Sequence, residues 1–127
     1  MALAKSPTLI DLVKKNEICL ECCPVSNRIL GYCSDLRCHP VRGLIAKGVK
    51  VSINPDDQGF FDAKGVTLDY LLVYLAWGLD LADLKQLCLS SLEYASISEE
   101  SEDYRKDMKE FFNYKWKKFL IAIKGRF

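Results

Sequence analysis

The sequence predicts an α/β fold, and three observations support that prediction. Two short runs, residues 18–23 and 49–54, alternate between apolar and polar residues, and each run is followed by a proline. A short helical pattern lies between the two runs, and apolar residues recur at helical spacing after Gly65. A strand, a helix and a strand with short joints form a βαβ unit, in which the strands are parallel and the crossover is right-handed.

Length and charge limit the classes of function. The 127 residues suffice for one modest domain, which we place at residues 1–127. Lys and Arg total 18 against 17 for Asp and Glu, so the net charge of +1 does not favour nucleic acid or an anionic membrane as a partner. No apolar run approaches the roughly 20 residues of a membrane helix. The opening segment, residues 1–7, is too short and too interrupted for a secretory signal.

The six cysteines allow two interpretations. They are unevenly spread through apolar segments, which is typical of buried, reduced thiols and favours a reducing compartment such as the cytoplasm. The alternative is a zinc site built from Cys19, Cys22, Cys33, Cys38 and His39. Residues three apart on a strand face opposite sides, and no glycine-containing turn separates the first two cysteines. We therefore favour core thiols.

The N-terminal elements can be placed from capping residues and prolines. Ser6 and Pro7 begin a helix that should end near residues 15–16. The first strand, residues 18–23, ends before Pro24, and a loop is expected from there to residue 40. Residues 41–45 then form a short helix, which Gly48 closes. His39, the only histidine, should satisfy backbone groups at the start of this helix rather than act in catalysis.

The second strand ends at two adjacent carboxylates. Pro55 has no N–H to donate and ends the strand, so Asp56 and Asp57 lie at its C-terminal end. Successive side chains of extended backbone point in opposite directions, so a metal on one side and a ligand donor on the other would suit this pair. An ordinary turn at residues 56–59 is the alternative. In parallel sheets ligands bind beyond the carboxyl ends of the strands, which favours a functional site.

The rest of the chain is predicted to be helical. An apolar segment at residues 70–77 should be buried, Gly78 should end it, and Asp80 should cap the next helix. A capping box at residues 96–99 precedes a last helix. Its stripe should face the core, although binding at a membrane surface could use the same spacing. The stripe comprises Tyr104, Met108, Phe111, Phe112, Trp116, Phe119, Leu120 and Ile123.

Three motifs in order resemble the last two strand–helix units of the adenosine deaminases. They are Glu21-Cys22-Cys23-Pro24-Val25-Ser26-Asn27, then His39-Pro40-Val41 through Gly48, then Val51-Ser52-Ile53-Asn54-Pro55-Asp56-Asp57. The sequence is most similar to the adenosine deaminase-related growth factor branch and to the parasite enzymes. Residues 84–87 and 94–96 extend the resemblance, which covers nearly the whole chain.

The resemblance implies a zinc hydrolase with a TIM-barrel fold that converts adenosine, or a related purine nucleoside, to inosine. By position, Asp56 resembles the carboxylate that binds Zn²⁺, and Asp57 resembles the neighbour that hydrogen-bonds the purine ring. The His-x-His pair, the further histidine and the proton-transferring glutamate of the family have no counterpart here. We therefore assign one zinc ligand and no catalytic residue to this chain.

A TIM barrel takes about 250 residues, twice this length. We accordingly predict a partial barrel: the last two strand–helix units followed by the C-terminal helices, inactive until the missing N-terminal strands are supplied. The sequence departs from the family's usual residues at Pro55, Gln58 and Ser90. The first two departures affect the geometry of the local turn and therefore the direction of the Asp57 side chain.

The alternative function is a non-catalytic binding or assembly module. Unpaired strand edges and apolar helices would pair with a second copy or with a missing N-terminal portion. The growth-factor branch also leaves secretion open beside the cytoplasm.

Overall fold

The computed structural model describes residues 2–57, 59–62, 64–96 and 102–125. These residues belong to two compact units, Met1–Ser91 and Leu92–Phe127. The strands are β1 (Leu20–Cys22) and β2 (Val51–Ile53), and short 3-10 helices cover Ala2–Lys5 and Leu36–Cys38. The α-helices are α1 (Pro7–Lys15), α2 (Pro24–Ile29), α3 (Val41–Ala46), α4 (Thr67–Trp77), α5 (Leu81–Glu93) and α6 (Glu102–Lys124).

The two strands pair in parallel, which confirms the predicted arrangement. Leu20 lies opposite Val51, and Cys22 lies opposite Ile53. The N–H of Leu20 donates to the carbonyl of Lys50 at 2.9 Å, and the N–H of Asn54 donates to the carbonyl of Cys22 at 2.9 Å. Each strand has three residues rather than the predicted six. The ladder stops at its C-terminal end because α2 begins at Pro24, which has no N–H to donate to β2.

The core lies on one face of this sheet. Cys22, Val51 and Ile53 are each 2% exposed and belong to the main apolar cluster. The helices and the loop before β2 complete this cluster with Ile10, Val41, Leu44, Val49, Val73, Trp77 and Leu87. Glu21 points to the other face and is exposed. The helices therefore cover one face of the sheet and leave a polar residue on the other.

The predicted boundaries of α1 and α3 are confirmed. The Ser6 hydroxyl accepts a 3.4 Å hydrogen bond from the N–H of Leu9, and Pro7 occupies the first turn of α1, which ends at Lys15. Shortly after α3, Gly48 has a φ of +81°. Only glycine adopts this left-handed conformation without a steric cost, which is why the chain can turn directly into β2.

The junction between α4 and α5 matches the prediction, but the predicted burial of residues 70–77 is wrong for Leu71 and Leu75, which are exposed. Gly78 is left-handed, with a φ of +61°, and ends α4. Asp80 and Asp83 then cap the start of α5 reciprocally. The N–H of Asp83 donates to the Asp80 carboxylate at 2.8 Å, and the N–H of Asp80 donates to the Asp83 carboxylate at 3.1 Å. Two donors that have no partner within the helix are thereby satisfied.

The prediction of a loop from Pro24 to residue 40 is wrong, because this segment contains α2. Pro24 occupies the first helical turn, where its missing N–H costs nothing. The side chain of Cys23, the residue before the helix, makes no capping hydrogen bond. Instead the carboxylate of Asp69 in α4 accepts the N–H of Val25 at 3.0 Å. A residue 44 positions away therefore stabilises the start of α2.

The second unit contains α6, which spans 23 residues. None of its described side chains is buried, so the prediction that its stripe faces a core is wrong for this chain. A unit with one long helix offers no second apolar layer to bury the stripe. The rings of Phe112, Trp116 and Phe119 instead contact one another, with centroids 5.9 and 5.3 Å apart. The predicted capping box lies, apart from Ser96, outside the described residues.

Within the described ranges, no helix combines the length and the apolar character that crossing a membrane requires.

Candidate metal and substrate site at the strand ends

Asp56 is held at the end of β2 by a residue that follows β1. The Ser26 hydroxyl donates a 2.7 Å hydrogen bond to Oδ2 of Asp56. Ser26 lies in the first turn of α2 and is 1% exposed, whereas Asp56 is exposed. Parallel pairing brings the two segments to the same edge of the sheet, as predicted for Pro24 and Asp56. Because Ser26 occupies one carboxylate oxygen, the other oxygen remains for a ligand.

The backbone at Asp56 has an uncommon conformation. Its φ is +56°, in the left-handed region that non-glycine residues rarely adopt. Asp57 is exposed, and its carbonyl accepts hydrogen bonds from the N–H groups of Phe60 at 2.9 Å and Phe61 at 3.2 Å. These bonds form a turn that begins at Asp57, one residue after the start of the predicted turn at residues 56–59. It does not exclude a site, because the contact from Ser26 reaches the Asp56 side chain from another element.

Cys23 lies beside Asp56 at this edge. Burial raises the pKa of its thiol, and the negative charges of Asp56 and Glu21 raise it further. A hydrogen bond from the backbone N–H of Asp56 acts in the opposite direction. A raised pKa keeps the thiol protonated at neutral pH. Cys23 therefore presents a neutral group, and not a thiolate, next to the carboxylate.

Asp69 stabilises the start of α2 at this edge through a hydrogen bond. Its carboxylate is 1% exposed and accepts the N–H of Val25, the residue before Ser26. Burial raises the pKa of Asp69, and the hydrogen bond from Val25 partly offsets this effect. The start of α2 thus depends on α4, and the direction of the Ser26 hydroxyl depends on α2.

His39 has a structural role, as predicted. Its Nδ1 accepts the N–H of Val41 at 3.2 Å, and its Nε2 lies 3.0 Å from the amide nitrogen of Asn27. The ring is 3% exposed, and burial lowers its pKa, which favours the neutral form. Because Nδ1 accepts a hydrogen bond, the proton of the neutral ring is on Nε2. The side-chain amide of Asn27 is then flipped, so that its oxygen and not its nitrogen faces Nε2.

A complete metal site is not formed by the described part of the chain. No three side chains among its histidines, cysteines, aspartates and glutamates come close enough to hold a metal ion. No disulfide joins any of the six cysteines, which all lie in the described ranges. Cys22 and Cys33 are buried as predicted for core thiols, but the prediction is wrong for Cys38, which is exposed, and Cys19, Cys23 and Cys88 are only half-buried. Asp56 is a donor of the class that Zn²⁺ accepts, but a catalytic zinc takes three protein ligands. The residues present therefore fit one part of such a site.

Comparison with a solved structure first defines the class of fold. The chain superposes on adenine deaminase from Arthrobacter aurescens with a TM-score of 0.74 and 20% identity. The match covers 90% of this chain and 33% of that structure. The described units thus have the fold of one part of a deaminase.

Sequence comparison then identifies the family. The adenosine deaminase family profile matches residues 1–109, and the chain belongs to this family. It is 44% identical over 100 residues to adenosine deaminase 2 of Dictyostelium discoideum and 37% identical over 125 residues to adenosine deaminase 2 of Homo sapiens. It is 36% identical over 104 residues to an adenosine deaminase of Plasmodium gallinaceum. The resemblance stated from the motifs is confirmed.

The chain spans only a minor part of these relatives. The matches cover 79%, 96% and 82% of this chain, but 18%, 24% and 28% of the respective relatives. The match to the solved structure likewise covers 90% of this chain but only 33% of that structure. Most of each relative therefore has no counterpart among the 127 residues.

Two residues of the site were missed by sequence analysis. Ser26 stands within the Glu21–Asn27 motif, just after Pro24, which marked a turn. The sequence therefore showed the position of Ser26 but not its hydrogen-bond partner, Asp56. Asp69 sits in a strongly apolar segment. A carboxylate there signals a buried hydrogen bond, because burial without a partner costs several kcal/mol.

Proposed function

We propose that this chain is the C-terminal part of a zinc-dependent adenosine deaminase, which hydrolyses adenosine to inosine. In this proposal the βαβ unit supplies the last two strand–helix units of a TIM barrel, and the later helices close the domain. The observation that supports it is the position of Asp56, which lies at the carboxyl end of a parallel strand and is held there by the buried Ser26. This is the end of a barrel where ligands bind.

The two aspartates have separate roles in this proposal. Asp56 binds Zn²⁺ through the oxygen that Ser26 leaves available, and Asp57 hydrogen-bonds the purine ring of the nucleoside. Asp56 is fixed by a hydrogen bond and an uncommon backbone angle, as expected of a ligand that must keep its position. When bound, Zn²⁺ lowers the pKa of a water molecule and so supplies the nucleophile.

The missing residues determine what this chain does alone. One carboxylate does not make a three-ligand zinc site, and the chain carries no counterpart of the family's proton-transferring glutamate. We therefore expect the isolated chain to bind no stoichiometric zinc and to leave adenosine unchanged. Supplying the rest of a deaminase should restore both properties.

The test compares two samples of the purified chain. One contains the chain alone, and the other contains the chain coexpressed with human adenosine deaminase 2 from which the segment matched by this chain is deleted. Inosine formation and zinc content are measured in both. The proposal predicts activity and about one zinc per complex only in the second sample. Stoichiometric zinc and turnover by the chain alone would refute the fragment role, and a folded complex without zinc would refute the metal role.

A second candidate function is a non-catalytic binding or assembly module that retains this part of the fold. It is favoured by the large apolar side chains that α4 leaves exposed, Leu71 at 52% and Leu75 at 68%. A complex that forms but never deaminates adenosine would support this candidate over the first.

A further inference from the structure

The charges of the chain are unevenly distributed along its length. Residues 1–110 contain 13 basic and 17 acidic residues, a net charge of −4, whereas residues 111–127 contain five basic residues and no acidic one. The net charge of +1 for the whole chain therefore conceals a basic C-terminal segment, most of which belongs to α6. The adenosine deaminase profile ends at residue 109, so this segment lies outside the residues that the profile matches.

The same segment carries an apolar face. Phe112, Trp116, Phe119, Leu120 and Ile123 recur at helical spacing, which places them on one side of α6. None of these side chains is buried, and Phe119 and Leu120 are 42% and 38% exposed. The helix therefore presents a continuous apolar surface to water, and a partner that covered this surface would gain the free energy of its burial.

The lysines of α6 lie on either side of this apolar face. Each residue advances about 100° around an α-helix, so positions two or five residues from the centre of a face fall beside it or behind it. The lysines are Lys117 and Lys124 on one side and Lys115 and Lys118 on the other. The apolar face is thus flanked by positive charge on both sides.

Two of these lysines lie against aromatic rings. Nζ of Lys115 is 5.2 Å from the centroid of the Phe111 ring, and Nζ of Lys118 is 4.7 Å from that of the Tyr114 ring. In this arrangement the carbon chain of a lysine covers apolar surface while its ammonium group stays in water. Positive groups and aromatic rings at one level are typical of side chains at a membrane–water interface.

We propose that this part of α6 binds the surface of a membrane that contains anionic lipids. The helix would lie parallel to the surface, with its apolar face among the upper acyl chains and its lysines at the lipid headgroups. Four lysines within 14 residues suit a helix that lies in the interface rather than one that crosses the bilayer. This binding is a property beyond the proposed function and does not rest on it.

The composition of the segment favours a lipid surface over two other partners. A second copy paired in parallel would bring the same lysines together, and residues 111–127 contain no acidic residue to neutralise them. Nucleic acid would attract the lysines, but the aliphatic Leu120 and Ile123 cannot stack on bases as aromatic rings do. An anionic membrane suits both groups, because headgroups attract the lysines and acyl chains accept the apolar side chains.

Vesicle binding by the 127-residue chain tests this proposal. Cosedimentation compares vesicles of phosphatidylcholine that contain about 30% phosphatidylserine with vesicles of phosphatidylcholine alone. The anionic vesicles should bind the chain at least about tenfold more tightly, and about 0.5 M NaCl should remove most of this difference. Brominated acyl chains should quench the fluorescence of Trp116, whereas Trp77, which is 2% exposed, should keep its fluorescence.

A matched pair of charge variants locates the binding surface. The double variant Lys117→Gln, Lys118→Gln should weaken binding to the anionic vesicles about 25-fold, or about fivefold for each lysine. The control, Lys14→Gln with Lys15→Gln, changes the net charge equally at two exposed positions of the first unit. It should alter binding by less than about twofold, because the surface attracts only the charges that come close to it.

A second pair of variants tests insertion of the apolar face. Phe119→Ala should weaken vesicle binding by about fivefold to tenfold, because the ring no longer leaves water. Phe60→Ala removes the same side chain from a position of the first unit that is 85% exposed, and it should leave vesicle binding unchanged. Circular dichroism of all variants checks that the helices are retained.

The remaining outcomes would refute the proposal. They are equal binding to the two kinds of vesicle, equal binding by the two lysine variants, and Trp116 fluorescence that brominated lipids do not quench. Self-association that Phe119→Ala abolishes, seen by analytical ultracentrifugation without vesicle binding, would assign the face to a second copy. None of these experiments uses the complementary portion, human adenosine deaminase 2 without the segment matched by this chain, so their failure leaves the proposed function intact.

Discussion

The hydroxyl of Ser26 and the carboxylate of Asp56 form a 2.7 Å hydrogen bond between the start of α2 and the end of β2. The hydroxyl is buried and the carboxylate is exposed. The contact fixes one carboxylate oxygen of an exposed side chain. In a zinc deaminase this arrangement would orient a metal ligand before the metal arrives.

Replacing Ser26 with alanine should weaken the metal site without removing a ligand. In the complex with the complementary portion, Ser26→Ala should lower zinc affinity about tenfold or more, because second-shell hydrogen bonds orient first-shell ligands. Competition with a chromogenic chelator measures this change. Ser91→Ala is the control, since that hydroxyl bonds to Tyr70 and to the Leu87 carbonyl away from the site. Equal zinc affinities for the two variants would contradict the assigned role of Ser26.

The neighbouring aspartates should separate metal binding from substrate binding. Asp56→Asn should release zinc from the complex, whereas Asp57→Asn should retain zinc and lower kcat/KM for adenosine by about 10-fold to 100-fold, equivalent to roughly 1.4–3 kcal/mol of lost binding. Zinc content and steady-state kinetics measured on the same samples distinguish the two effects. Loss of zinc from both variants would show that the aspartates do not have separate roles.

Asp69 should make stability depend on pH. Its folded-state pKa is raised, chiefly by burial, above the ordinary value of 3.8. The acid therefore stabilises the fold below the unfolded-state pKa, and stability falls as pH rises through the higher folded-state pKa. Asp69→Asn can still accept the N–H of Val25 and should remove this pH dependence, whereas Asp69→Ala should cost about 1–2 kcal/mol by removing the cap. Urea unfolding between about pH 4 and pH 7 measures both. A steeper pH dependence in the asparagine variant would contradict this account.

The exposed Cys38 should react before the buried Cys22. Burial raises the pKa of Cys22 to about 12, with smaller contributions from Cys23 and Asp69. Its thiolate fraction at about pH 8 is on the order of 10⁻⁴, whereas Cys38 is exposed. Iodoacetamide should therefore label Cys38 first and Cys22 only after unfolding in urea, as peptide mapping would show. Rapid labelling of Cys22 in the folded chain would contradict its place in the core.

The local patterns predicted most of the framework. Alternation in residues 18–23 and 49–54 predicted the parallel pair, while Ser6, Gly78 and Asp80 predicted helix boundaries. These features depend on neighbouring residues and on backbone conformations that few residue types adopt. They are therefore visible in the sequence itself.

The features that were missed depend on contacts between distant residues. The helix α2 has six residues, and its N-terminal donor is satisfied by Asp69, so its own sequence contained only the Pro24 signal. The bond from Ser26 to Asp56 joins residues 30 positions apart. The stripe of α6 had the spacing of a buried helix, but burial also requires an opposing layer, which no pattern within the helix can reveal. The roles of Asp56 and Asp57 remain predictions.

The most direct test of the central claim is the zinc content of the complex between this chain and the complementary portion of human adenosine deaminase 2. We expect about one zinc per complex with the wild-type chain and almost none with Asp56→Asn, while both complexes form equally well by size-exclusion chromatography. Equal zinc content in the two complexes would contradict the claim that Asp56 supplies a ligand to the metal site.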